Sequence, residues 1–303
     1  MPVANNSDDF LLDYSISVGV NILNGCIGCA GILLNILTFL TCSRYDKINS
    51  FIASMQTLAF WDAVTCIHYG IRTGILRPLG FYLQDVNNFL CKSVWMTLNI
   101  TWWMSIWHVV FLTYERVFSV SFPLFHRRHS TPQLVYRISG VLSLTAIILS
   151  IPETVYFRIS NGVCNPNKHL ELYYIYKHFG FYVLSSSLPG SLTLIGNIMI
   201  IRALGRKKKR GHETNTSLLL LFISFEMLIL LSISGYFSCK GSDIERHSLE
   251  DKVHVMMLYS FSNTPIVLNC TTNFFVYFAS AEKFRNIFMR RILRIQSSST
   301  TAL

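Results

Sequence analysis

The chain has 303 residues, 51% of them hydrophobic and only 14% charged, against about 25% charged in an average soluble domain. That balance points to lipid as the solvent for much of the surface, and no Pro, Gly or Ser tract is long enough to separate domains, so one domain over 1–303 is expected. The net charge of +10 would suit a nucleic-acid binder, but its distribution along the chain reads as membrane topology and removes that support.

The first 15 residues, opening MPVANNSDDF, are polar and acidic. They lack the basic start of a secretory signal and read as an extracellular tail, with a glycosylation sequon at Asn5. Seven apolar runs long enough to cross bilayer hydrocarbon follow at 16–42, 51–76, 90–121, 136–157, 174–204, 217–238 and 254–280. They lack the period-two alternation of barrel strands, so the expected fold is an all-α membrane protein, a seven-transmembrane helix bundle. With the N-terminus outside, the inner loops and tail hold 17 of the 26 Lys and Arg residues against 4 acids, and the outer segments hold 9 against 10. The positive-inside rule therefore sets the N-terminus outside.

Between spans 5 and 6, the basic run Arg206 to Arg210 is suited to anionic lipid headgroups, at about 1 kcal/mol per residue. After span 7, residues 281–294 place Phe284, Ile287, Phe288 and Ile292 on one face among Lys283, Arg285, Arg290, Arg291 and Arg294, an amphipathic eighth helix at the interface. The cytoplasmic tail, 295–303, offers Ser297, Ser298, Ser299, Thr300 and Thr301 as phosphoacceptors for an arrestin-type partner.

Of eight cysteines, Cys91, Cys164 and Cys239 fall outside, where disulfides persist. A Cys91–Cys164 pair would tie the second outer loop to span 3; three free thiols is the other reading. Inside the membrane, polar groups mark function by default. Asp62, in LAFWD of span 2, has Asn35, Ser105, Asn269 and Asn273 on other spans as candidate partners. Asp62, Ser105, Asn269 and Asn273 could hold Na⁺ through hard oxygen donors, or join helices as a polar cluster without an ion. Glu226, in span 6, is a second membrane carboxylate with no partner legible in the sequence. Glu115 and Arg116, in YERVFSVSFP, lie 24 and 25 residues after Cys91. That distance exceeds the hydrocarbon thickness and places the pair at the cytoplasmic end of span 3. There it reads either as a basic anchor at a helix C-terminus or as a latch closing the inner ends of the helices. No His, Cys and carboxylate constellation has metal or nucleophile spacing, so no enzyme is expected.

Taken in order, GILLN, LAFWD, Cys91, YERV, FPLF, Pro189, NFFVY and FRNIF resemble the rhodopsin-like (class A) G-protein-coupled receptors over nearly the whole chain. The resemblance implies a plasma-membrane receptor for an extracellular ligand that acts on a heterotrimeric G protein. It also implies a latch of Glu115 and Arg116 with Asn273 and Tyr277, and Na⁺ held at Asp62. NCTTNFFVYF is similar to invertebrate neuropeptide receptors of the FMRFamide and myosuppressin type, which favours a peptide ligand, with acidic outer loops suited to a cationic one. A chemosensory receptor for a small molecule is the alternative, and a transporter a more remote one. Outer-half residues expected to line the ligand pocket are Tyr69, Trp95, Leu98, Asn99, Trp102, Tyr182, Tyr236, Tyr259 and Asn263. The pattern departs from the family in lacking the Trp and Pro of span 6 and in placing Phe274 where span 7 has proline.

Overall fold

The structure, a computed structural model, describes residues 6–160, 162–166, 183–184, 187–206, 225–230, 232–234, 236–237 and 249–292. The sequon at Asn5, the pocket candidate Tyr182, Cys239, the basic residues Lys207 to Arg210 and the tail phosphoacceptors lie outside them.

The described chain is almost wholly helical. Helix α1 runs Asn6–Ser43, starting well before the expected boundary at residue 16, so much of the expected outer tail is helix. Helix α2, Ser50–Cys66, is capped by Asn49, whose side chain accepts from the Ile52 amide. It continues without a break into a π-helical segment, Ile67–Leu76, where an ordinary helix was expected. Helix α3 is Asn88–Ser121, α4 is the short Pro123–His129 and α5 is Pro132–Tyr156. Helix α6 is Leu188–Arg206 and α7 is Leu249–Ser280. Helix α8, Glu282–Ile287, ends in a π-helical turn, Phe288–Ile292. Residues 225–230 of the sixth expected span are also helical.

Among the described residues, two helices, Leu11–Ser43 and Pro132–Tyr156, are long and apolar enough to cross a membrane, each with a mean hydropathy of 1.9. Their apolar side chains are largely unburied: Val141, Leu144 and Val155 on α5 are 65%, 60% and 66% exposed. Contiguous apolar surface of this kind is costly in water and suits lipid. Where the helices face one another, they bury many small and polar residues.

Helix α1 shows how. Ser17, Asn21, Asn24, Gly28, Gly31, Asn35 and Thr38 recur at alternating steps of four and three, so small and polar residues form one seam along the helix. In lipid, helices associate through close backbone approach and interhelical hydrogen bonds rather than apolar burial, and the seam supplies both. Asn24 donates to the Ser260 carbonyl at 3.1 Å, Asn35 donates to the Cys270 carbonyl at 2.8 Å, and the Ser17 and Ser260 hydroxyls meet at 3.0 Å. Against the π-helical segment the backbones nearly touch: a Cβ on Gly28 would lie 2.3 Å from the Gly70 Cα, and one on Gly74 would lie 2.2 Å from the Gly25 Cα.

At the outer end, β1 (Phe157–Ser160) and β2 (Val163–Pro166) pair antiparallel. The Cys91–Cys164 disulfide, with Cα atoms 5.6 Å apart, fixes this hairpin to the start of α3. The backbone amides of Ile159 and Cys164 also donate to Asn88 Oδ1 and Asp85 Oδ1.

Gly28→Val should force α1 away from the π-helical segment and lower stability by about 1–3 kcal/mol, the usual range for overpacking. Thermal unfolding of the purified chain in detergent checks this, with Gly19→Ala, where a Cβ meets open space, as the control that should be neutral.

Candidate functional site: a buried carboxylate node and a charged cytoplasmic lock

Two acidic centres lie along the axis of the bundle. The inner-membrane one is Asp62, fully buried on α2. Ser105 of α3 donates its hydroxyl to Oδ1 at 2.6 Å, and Asn273 of α7 donates its amide to Oδ2 at 2.7 Å. The Ser105 hydroxyl also lies 3.7 Å from Cys270 Sγ. Three helices thus converge on one carboxylate. Asn35 bonds instead to the Cys270 backbone, one shell away. Asn269, one turn before Asn273, lines a cavity of ≈ 20 Å³ with Thr65, Ser105, Pro265 and Cys270. That volume admits about one water-sized particle. Pro265, inside α7, has no amide hydrogen to give the Phe261 carbonyl, so it weakens the helix beside the cavity. This proline lies one turn before Asn269 and stands apart from the position that Phe274 occupies.

The second centre is Glu115, near the C-terminal end of α3, with a side chain only 3% exposed. Its Oε1 accepts from the Ser50 hydroxyl, at the first residue of α2, and from His126 Nε2 of α4, each at 2.8 Å. Arg116 Nε stands 3.6 Å from Oε2, beyond a good hydrogen bond, while its guanidinium carbon lies 3.3 Å from the centre of the Phe51 ring. A cation over an aromatic face is held electrostatically. The lock is therefore wider than the two adjacent residues visible in YERV: it includes Ser50, Phe51 and His126. The cue in the sequence was the helix start after Asn49, which brings Ser50 and Phe51 to the inner membrane edge, but nothing in the spacing paired them with Glu115.

Of the two other latch candidates, Asn273 belongs to the Asp62 node. Tyr277 is buried and packs against Phe284 of α8, with no hydrogen-bond partner for its hydroxyl among the described residues. Phe274 is buried in a cluster of rings with Phe278, Phe284 and Phe288, so the aromatic side chain in place of proline anchors α8 under α7. On the inner rim, Arg291 pairs with Asp46 at 2.9 Å and holds its carboxyl below the usual range, through hydrogen bond and charge. Glu226 is half-buried and meets the Thr272 side chain, a partner not evident from sequence.

The expected pocket residues divide. Tyr69, Leu98 and Trp102 pack together in one buried cluster, with the Tyr69 and Trp102 rings 6.4 Å apart, and Asn99 is buried beside them. Trp95 stacks on Phe157 of the hairpin at 4.7 Å. Tyr259 and Asn263, on α7, are half-buried, and Tyr236 is 60% exposed.

Comparison with known proteins finds partial similarity to receptors. The chain is 29% identical over 138 residues to the human chemokine XC receptor 1, covering 45% of this chain and 39% of that protein. It is 29% identical over 108 residues to the mouse probable G-protein coupled receptor 33, covering 34% and 31%. It is 25% identical over 136 residues to G-protein coupled receptor 54 of Oreochromis niloticus, covering 44% and 35%. The chain thus matches under two fifths of the length of each of these relatives. No protein-family model matches the chain. All three relatives are receptors rather than enzymes, and the similarity extends to the class of receptors that the motifs resemble.

Ser105→Ala should leave Asp62 Oδ1 without its donor while creating little void, costing about 1–3 kcal/mol for the unsatisfied group. The thermal midpoint of the purified protein should fall, and an unchanged midpoint would show that the α2–α3 link contributes nothing.

Proposed function

We propose that this chain is a G-protein-coupled receptor of the rhodopsin-like type, a multi-pass plasma-membrane protein with its N-terminus outside. It binds an extracellular ligand and promotes nucleotide exchange on a heterotrimeric G protein. The observation that carries this reading is the Glu115 lock: a buried carboxylate at the cytoplasmic edge that holds the ends of α2, α3 and α4 together and lies against Arg116. A buried acid gripped by neighbouring helices is a two-state element, since moving any one of them strips it of a donor and frees the adjacent cation. The similarity to three receptors supports the same conclusion. A peptide is the favoured ligand class, supported by the name of the chemokine receptor relative and by the sequence likeness at NCTTNFFVYF. Phosphorylation-dependent binding of arrestin and association of the basic inner face with anionic lipid complete the expected partners.

We further propose that Asp62, Ser105, Asn269 and Asn273 hold Na⁺. All four offer hard oxygen donors, and the adjoining cavity has room for a particle of water size. Occupancy would bind α2, α3 and α7 more tightly and favour the inactive arrangement. Asp62→Asn should abolish the rise in thermal stability produced by NaCl over choline chloride; equal stabilisation of the parent chain by both salts would leave the cluster as helix-joining polar contacts.

In membranes containing this chain and a G protein, Glu115→Gln should raise basal nucleotide exchange about fivefold or more, the lower range of typical coupling energies. Arg116→Ala should abolish exchange while surface expression persists. Parent-like exchange in both variants would remove the role given to the lock.

A further inference from the structure

The outer half of the bundle contains a cation that the motif analysis passed over. Arg72 lies in the π-helical segment, midway between Gly70 and Gly74, the two positions pressed against the α1 backbone. It therefore projects from the opposite side of the turn, toward α3, where its guanidinium lies 6.0 Å from the Trp95 ring centre. Among the described residues, Nη1 donates to Gln84 Oε1 in a long, weak contact of 3.5 Å, and Nε is buried without a hydrogen-bond partner. Among the described residues no carboxylate pairs with it. Asp85 is engaged by the Cys164 backbone amide, and the charged neighbour of Arg72 along the chain is another arginine, Arg77, just past the end of the segment.

Arg72 is not alone in lacking an acceptor. Trp95 Nε1 and Asn99 Nδ2, one turn apart on the same face of α3, are also buried without a hydrogen-bond partner. All three unsatisfied atoms are donors. Buried polar groups are normally paired, and a set made only of N–H groups calls for a species that only accepts. An ionised carboxylate is such a group, and it matches the planar fork of arginine. The surrounding surface is aromatic: Tyr69 and Trp102 pack below, and Phe157 of the disulfide-tied hairpin stacks on Trp95. Gln84, the hairpin and the Cys91–Cys164 disulfide lie at the same end of the bundle as Arg72.

We propose that Arg72, with Trp95 and Asn99, forms the anchor for the carboxylate of an extracellular ligand whose adjoining part is apolar or aromatic. This rests on the receptor reading and narrows it: a free acid, whether a peptide C-terminus or a small organic acid, is preferred to an amidated peptide. The guanidinium supplies charge and paired N–H donors, the Asn99 and Trp95 N–H groups complete the donor shell, and the aromatic walls exclude water from the pair.

The test is direct binding to the purified full chain in nanodiscs, read by thermal shift and by tryptophan fluorescence, since Trp95 is itself part of the site. The probes are 3-phenylpropanoate and glycyl-phenylalanine, each against its neutral amide. Both acids should bind saturably, at least about tenfold more tightly than their amides, as expected for a charge-assisted pair. Arg72→Gln should remove that preference, and Arg72→Lys, which keeps the charge but not the fork, should retain part of it. An intact Cys91–Cys164 disulfide and a parent-like thermal midpoint without probe identify folded variants. Equal affinity for acid and amide, no saturable binding of either acid, or an unchanged preference in folded Arg72→Gln would each overturn the assignment. Acid binding without any stimulated nucleotide exchange would overturn the receptor reading and leave the Arg72 site standing. Exchange stimulated equally by the amides would do the reverse.

Discussion

A carboxylate removed from water must be solvated by the protein around it, and Asp62 sets this requirement at the centre of the bundle. Its two oxygens draw one donor from α3 and one from α7, so the relative positions of three helices are fixed by hydrogen bonds of high directional demand. The neighbouring elements follow from that constraint. Asn35 reaches the backbone of α7 at Cys270, directly beside the node, which brings α1 to the same level. Pro265, which interrupts the hydrogen-bond ladder of α7, borders the small cavity beside the node.

Above this level, close approach takes over from hydrogen bonding. The glycines of α1 and of the π-helical segment remove the side chains that would hold the helices apart, so backbone meets backbone. A π-helical turn is wider than an α-turn and frequently occurs at functional sites. Here it turns two glycines toward α1 and one arginine toward α3, so packing on one side and chemistry on the other arise from the same ten residues.

At the end of the bundle remote from the disulfide, the helix ends depend on charge and aromatic surface. Glu115 gathers Ser50 and His126, and Arg116 rests on Phe51. Phe274 holds α8 through stacked and edge-on rings. The aromatic anchor makes α7 and α8 one packed unit, while the weak point in α7 is displaced toward the cavity at Pro265.

Sequence alone determined the helical class, the course of most long helices, the Cys91–Cys164 option and the membrane-depth residues, because hydrophobic run length, charge asymmetry and helical spacing are local properties. The pairing of Asp62 with Ser105 and Asn273 was within its reach, since few polar groups exist at that depth. It could not choose among Asn35, Asn269 and Asn273, as that depends on helix rotation. Nor could it reveal the π-helical form of Ile67–Leu76, whose composition is that of any apolar helix, or the helical start at Asn6. Only the tertiary structure decided that Ser50, Phe51 and His126 enclose the Glu115–Arg116 pair, and that Arg72, one of the outer basic residues by charge count, is turned inward among unpaired donors. Those facts depend on which faces of separate helices meet, and no spacing within a single helix encodes that.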